Sequence, residues 1–189
     1  MNAPARRSVL AIDPGSPGAA VRLTAAGQLA EVIAWRACRQ GYRVSGYTPT
    51  FADPSWGVVV PGRPAALGEI LAPRITSSTL LACEELFLSR QHRNAQTLIT
   101  LARFTGAIMA AAEQRTGKQA AYVLASEWRH SVLGLRRNTR REQAKAASLR
   151  YIPPQIPGLA EALLVLGNLD HVTDAAGIAL WRQRQGVSA

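Results

Sequence analysis

Apolar and polar positions fall into two periods along this chain. Ser8–Ile12 (Ser-Val-Leu-Ala-Ile) is a short apolar run, and Gly18–Leu23 and Leu29–Trp35 follow it after tight turns. Three strands joined by short turns predict an antiparallel meander. Residues 36–63 have little periodicity and are rich in Gly, Pro, Tyr and Trp, so they are expected to form an irregular insertion in which only Val58–Val60 reads as a further strand. Pro64–Leu71 reads as a helix and Thr79–Cys83 as a strand. Over Asn94–Arg115, residues Leu98, Leu101, Ala102, Thr105, Ile108, Met109 and Ala112 share one face, the period of an amphipathic helix. Ala120–Leu124 reads as the next strand.

The remainder reads as helices. Ser126 is placed to cap a short one carrying Trp128 and Val132, which Gly134 ends. Thr139-Arg140-Arg141-Glu142 has the spacing of a capping box and opens a basic helix to about Arg150. Pro153, Pro154 and Pro157 form a rigid connector, Leu159–Leu166 is a short apolar helix, and a last helix starts at Asp170 or Thr173 and runs to about Gln183. The expectation is one α/β domain over residues 1–189 with a flexible tail at 1–7. Its sheet is mixed and five-stranded, three antiparallel strands then parallel ones, with helices on both faces.

Composition changes this picture in one respect. Of the net charge of +10, +9 falls between Arg90 and Arg150, where twelve Lys and Arg face three acidic residues. A concentrated cationic sector, with a pI near 10.9, points to a polyanion partner. Arg90, Arg93, Arg129, Arg136, Arg137, Arg140, Arg141 and Lys145 are the candidate phosphate contacts in it. The two cysteines, Cys38 and Cys83, make neither a disulfide framework nor a zinc site. No apolar run approaches the roughly 20 residues of a membrane span, and no secretory signal is evident, so a soluble, cytoplasmic protein without membrane partners is expected.

The chemistry is carried by acids placed at the ends of elements. Asp13-Pro14-Gly15 follows the first strand, Glu84 and Glu85 follow the Thr79–Cys83 strand, and His171 and Asp174 stand three apart on one face of the last helix. Each alone has an ordinary meaning: Asp-Pro-Gly is a common turn and Asp near a helix start favours the dipole. Together they are an oxygen-rich set with an imidazole, provided the two strands are parallel neighbours. Such a set suits Mg²⁺ or Mn²⁺, and two ions about 4 Å apart can activate a water and stabilise the leaving oxygen in phosphodiester cleavage. Asp13 is expected to bridge both ions, with Glu84 and Asp174 each holding one side and His171 ligating or positioning the water. Glu85 competes with Glu84 for this place, and Asp170 with His171.

These motifs resemble the RuvC family of Holliday-junction resolvases, in the ribonuclease H-like superfamily. Ala11–Ser16 is similar to the family's opening strand, Cys83–Phe87 to its second acidic motif, Asn94–Gly106 to the helix after it, Ser131–Gly134 to the segment after the fifth strand and His171–Ala175 to its last motif. The chain departs from the family at Glu85, where Gln is common, over Arg36–Arg63, and in a longer Pro153–Leu169 segment. The resemblance implies a ribonuclease H-like fold and an Mg²⁺-dependent endonuclease with two ions per site. It implies a homodimer that nicks symmetric strands of a four-way DNA junction to leave 5′-phosphate and 3′-hydroxyl ends. It implies Asp13, Glu84 and Asp174 as metal ligands, with His171 at a position where members carry Asp or His. Phe87 corresponds to an aromatic that lies against bases near the junction, and Arg129 and Arg140 or Arg141 fall near phosphate-contacting lysines.

Three other readings share part of this pattern. Another ribonuclease H-like nuclease would act on flaps or RNA–DNA hybrids. A non-catalytic DNA-binding module has no need to confine like charges. An actin- or hexokinase-type phosphotransferase also ends its first strand in Asp-x-Gly, but needs far more residues and a second Gly-rich phosphate loop.

Overall fold

The computed structural model describes residues 7–50, 55–61, 64–85, 95–117, 119–167 and 169–186. Its centre is one sheet of seven strands: β1 Val9–Asp13, β2 Gly18–Leu23, β3 Leu29–Cys38, β4 Gly41–Tyr47, β5 Ser55–Pro61, β6 Leu80–Glu84 and β7 Ala121–Val123. The order across it is β5-β4-β3-β2-β1-β6-β7. The first five strands form an antiparallel meander, and β6 and β7 run parallel to β1. The sheet is thus mixed, antiparallel then parallel, but it has seven strands and not the five expected.

The two additional strands lie in the region expected to be irregular. β3 continues to Cys38, turns at Arg39–Gln40, and returns as β4, with β5 at the sheet edge. Gly46 stands opposite Trp56, and a Cβ there would lie 2.0 Å from the indole, so only glycine allows that ring to lie over β4. Most of β5 is exposed, and only its Val60 is buried, so the pair lacks the strong hydrophobic alternation of a central strand.

Helices cover both faces: α1 Pro64–Leu71, α2 Ala95–Thr116, α3 Ala125–Leu133, α4 Arg141–Tyr151, α5 Leu159–Leu166 and α6 Leu169–Gln185. On one face Leu10, Ile12, Ile33, Trp35 and Leu81 pack against Leu67 and Leu71 of α1 and Phe104, Ile108 and Met109 of α2. On the other, Val9, Ala11, Val21, Val32 and Ala82 pack against α6, with Trp128, Ile152, Ile156 and Leu159 completing the layer. Full burial of each large aliphatic side chain contributes about 1.5–3 kcal/mol.

Three helix starts differ from expectation. α3 begins at Ala125 after Leu124, without a side-chain cap, so Ser126 lies inside the helix. α4 begins at Arg141 after Arg140, also uncapped: the Thr139 hydroxyl donates instead to the Arg136 carbonyl at 2.7 Å, closing the preceding turn. α6 begins at Leu169, ahead of both Asp170 and Thr173, whose hydroxyl donates back to the Asp170 carbonyl. Both cysteines are free. The expected tail at 1–7 falls, apart from Arg7, outside the described residues. Among those described, no helix is long and apolar enough to cross a membrane.

Candidate functional site

Strand alternation sets two carboxylates on one face. In β1, Val9 and Ala11 point to the α6 side and Leu10 and Ile12 to the other, so Asp13 follows Val9 and Ala11. In β6, Ala82 points to the α6 side and Leu81 and Cys83 away, so Glu84 follows Ala82. β1 and β6 are parallel neighbours in a register that pairs Ile12 with Cys83, and Asp13 and Glu84 are the next residue on each strand. Glu85 is exposed, and its backbone N–H donates to the Val123 carbonyl at 2.8 Å. Of the two competing glutamates, Glu84 therefore faces the site.

Helix α6 supplies the other half. It lies against β1, β2 and β6 through Val172, Ala175, Ala176 and Ala179, all fully buried. Small residues let its axis approach the sheet. His171 Nδ1 lies 2.9 Å from Asp13 Oδ2. Asp170 points elsewhere and pairs with Lys145. Asp13 Oδ1 also accepts a long bond from the Gly15 N–H at 3.4 Å, so the Pro14-Gly15 turn helps to hold the carboxylate at the strand exit.

Two further residues complete the set. Trp128 of α3 is fully buried and donates its indole N–H to Glu84 Oε2 at 3.1 Å. Arg129 places Nη2 2.8 Å from Asp174 Oδ2 and lies over the Trp128 ring, 5.0 Å from its centroid. Gly177 makes the arrangement possible, since a Cβ there would fall 2.3 Å from the Trp128 ring. Asp174 Oδ1 is buried without a partner, as is the Ser148 hydroxyl, which lies near enough to favour the Asp174 anion but forms no hydrogen bond of normal geometry with it.

The electrostatics follow from crowding three acids at the rim of a core. Burial, reinforced by Asp13 and Asp174, pushes Glu84 up to about 7, against the opposing pull of the Trp128 N–H and Arg129. Burial likewise raises Asp174, with Arg129 opposing it and Asp13 adding to it. The hydrogen bond with Asp13 raises His171 despite its burial. Burial and the neighbouring acids hold the Cys83 thiol up, so it is an inert core residue.

The donor set bears on what the site can hold. Among the described residues no three His, Cys, Asp or Glu side chains stand close enough together to hold a metal ion as they are placed; each carboxylate instead faces a protein donor. Three hard oxygen donors that repel one another, one with a buried oxygen lacking any partner, are nonetheless what a divalent cation stabilises. The residues fit such an ion, and Arg129 adds a positive charge beside Asp174.

The cationic residues divide. Arg129 and Lys145 are engaged with Asp174 and Asp170. Arg136, Arg137, Arg140 and Arg141 are exposed around the start of α4. Arg129, Arg136, Arg137 and Arg141 line a cleft of about 580 Å³ between α3 and α4, and its Arg129 is the one that pairs with Asp174. Phe87, Arg90 and Arg93 lie outside the described residues. Sequence reasoning did not assign Trp128, Ser148 or Gly177 to the site, or Arg129 to Asp174. A buried indole hydrogen bond and a pairing across 45 positions leave no local pattern to read.

The geometry defines an α/β protein with an acidic, partly buried site at the carboxyl ends of central parallel strands, beside an arginine-lined cleft. Among solved structures the chain is similar to the Thermus thermophilus RuvC structure, at 17% identity and a TM-score of 0.46, covering 96% of this chain and 95% of that one. It is also similar to T. thermophilus RuvC in complex with Holliday junction substrate, at 16% identity and a TM-score of 0.45, covering 96% and 94%. No protein-family model and no curated protein matches the sequence.

Proposed function

We propose that the protein is a divalent-metal-dependent endonuclease that nicks branched DNA, with the four-way junction as its substrate and Mg²⁺ as its ion. The observation that carries this reading is the approach of Glu84 and Asp174 to Asp13, which His171 meets at 2.9 Å, at one sheet edge, with Arg129 joining Asp174 to a cleft lined by four arginines. Like charges held together at the rim of a core cost stability, and a polyanion-binding cleft beside them gives that cost a use. The order of elements and the residues matched to the resolvase family support the same reading.

In this site Asp13, Glu84 and Asp174 would hold two divalent ions, which would activate a water and stabilise the charge on the leaving oxygen. His171, oriented by Asp13 through Nδ1, presents Nε2 to a water and can take its proton. Trp128 fixes the Glu84 carboxylate by its N–H and excludes solvent behind it. Arg129 neutralises Asp174 and lines the cleft, so it lies where it can meet a substrate phosphate. The exposed arginines of the α4 start bind the sugar-phosphate backbone without regard to sequence, and Phe87 is proposed to stack on an opened base. Paired symmetric nicks require two sites, hence a homodimer.

The test is a cleavage panel with Mg²⁺, Mn²⁺ or EDTA: four-way junction, fork, flap, linear duplex and RNA–DNA hybrid. Metal-dependent paired nicks in the junction, in preference to the others, are expected. Equal cutting of duplex or hybrid leaves a nuclease but overturns the junction assignment. DNA binding without cutting under any ion favours the non-catalytic module.

A further inference from the structure

We propose that the β3–β4 hairpin is a second DNA-backbone-binding arm, on the opposite flank of the carboxylates from α3 and α4. The proposal rests on the nuclease reading for the identity of its polyanion. It stands on three observations of its own.

First, the hairpin concentrates unpaired positive charge. From Val32 to Ala52 the sequence holds Arg36, Arg39 and Arg43 and no acid. Arg36 and Arg43 are both exposed and sit directly opposite one another across the β3–β4 ladder, an arrangement that like charges disfavour. No acidic side chain among the described residues pairs with either. Arg22 and Arg74 show the contrast: both converge on the buried Glu31, at 3.8 and 2.8 Å. The helical dipole at the end of α5, whose Leu166 and Gly167 lie alongside, offsets part of the repulsion but supplies no counter-ion.

Second, the two arginines border a recess. Together with Ser45 and Pro17 they line an open cleft of about 380 Å³, and Pro17 belongs to the turn that follows Asp13. Guanidinium groups and a hydroxyl are donors that suit a phosphate.

Third, the sheet register puts this recess in line with the carboxylates. Asp13 pairs with Ala19, and Ala19 with Ala34. Val32 and Ala34 share the α6-side face with Val9 and Ala11, so Arg36, two residues on, lies on the face that carries Asp13 and beyond the same edge. Two strand spacings and two residues of rise set the Arg36 and Asp13 backbones about 12 Å apart. That is about three to four nucleotides along a strand at roughly 3.4 Å each. DNA seated at Asp13 would therefore meet Arg136, Arg137 and Arg141 on one side and Arg36 and Arg43 on the other.

The experiment is fluorescence anisotropy of a labelled four-way junction in EDTA across a salt series, with the full-length wild type, R36Q/R43Q, R36K/R43K and R137Q/R141Q. Loss of two phosphate contacts should lower the slope of log affinity against log salt by about 2 and weaken binding roughly tenfold or more near 0.1 M salt, in R36Q/R43Q but not in R36K/R43K. Phenylglyoxal labelling of the wild type, read by mass spectrometry, should show Arg36 and Arg43 protected by the junction. Wild-type affinity and slope in R36Q/R43Q, with R137Q/R141Q weakened, would overturn the arm and leave the nuclease reading in place. Equal labelling with and without DNA does the same. Failure of the wild type itself to bind the junction overturns both.

Discussion

Strands β1 and β6 present Leu10, Ile12, Leu81 and Cys83 to one helical layer and Val9, Ala11, Asp13, Ala82 and Glu84 to the other. The first face is filled with large apolar groups and meets Phe104, Ile108 and Met109. The second is lined at its outer end by alanines, and its helix carries Ala175, Ala176 and Gly177. Bulk on one side sets the helices at a distance and stabilises the fold. Small residues on the other draw α6 down until His171 reaches Asp13 and Trp128 reaches Glu84. Both faces are packed, but at the strand ends residue size separates the apolar face from the carboxylate face, and substitutions at the two should have different signatures.

The largest expected effect breaks the chemical face alone. Asp13→Asn removes a proposed ligand and should lower nicking by roughly three orders of magnitude or more, with junction binding retained and no loss of thermal stability in EDTA. Ile108→Ala, on the other face, should cost about 2–5 kcal/mol and leave nicking per folded molecule unchanged. Chemical denaturation and single-turnover assays on both variants check the pair. A loss of both properties in each would remove the distinction.

Arg129→Gln comes next. It leaves Asp174 buried and unpaired, which costs about 3–5 kcal/mol when such a charge cannot adapt. Because burial raises Asp174 and Arg129 is what opposes that rise, the loss of thermal midpoint should be larger at pH 8 than at pH 5.5, and Mn²⁺ should recover part of it at pH 8. Gly177→Ala should cost less, about 1–3 kcal/mol of overpacking, but it displaces Trp128 from Glu84 and should lower nicking more than stability. A variant as active as the wild type would show that Trp128 only fills space.

The smallest effect is in pH. Glu84 and Asp174 have folded-state values above their ordinary ones, so the folded state holds protons that the unfolded state has released. The Glu84 penalty is absent below about pH 4.5, grows as pH rises and is complete above about 7, and that of Asp174 runs in the same direction. His171 is raised too, so its contribution is present at low pH and lost as pH rises through its folded value. All three act in one direction. The metal-free thermal midpoint should fall between pH 5.5 and 8, a fall that Asp13→Asn flattens.

Legibility in the sequence followed the same division. Central strands and α2 carry strong periodicity, and Asp13, Glu84, His171 and Asp174 sit at element ends where a charge is conspicuous. Of the β4–β5 pair only Val58–Val60 was readable, because the alternation is broken by Gly46, Gly57 and an exposed Val58-Val59. Ser126 and Thr139 have capping chemistry, but α3 starts at Ala125 without a side-chain cap and the Thr139 hydroxyl is taken by the Arg136 carbonyl. Averaging charge over the first half of the chain also concealed the Arg36–Arg43 pair, since Glu31 already consumes Arg22 and Arg74.

The most direct test of the carboxylate face is a calorimetric titration of Mn²⁺ into the metal-free protein at pH 8, with D13N, E84Q and I108A alongside. The expected result is saturable binding by the wild type and I108A that is lost or greatly weakened in D13N and E84Q. A wild type that takes up no Mn²⁺, or acidic-site variants that bind it as well as the wild type, would contradict the claim that Asp13 and Glu84 form a metal centre.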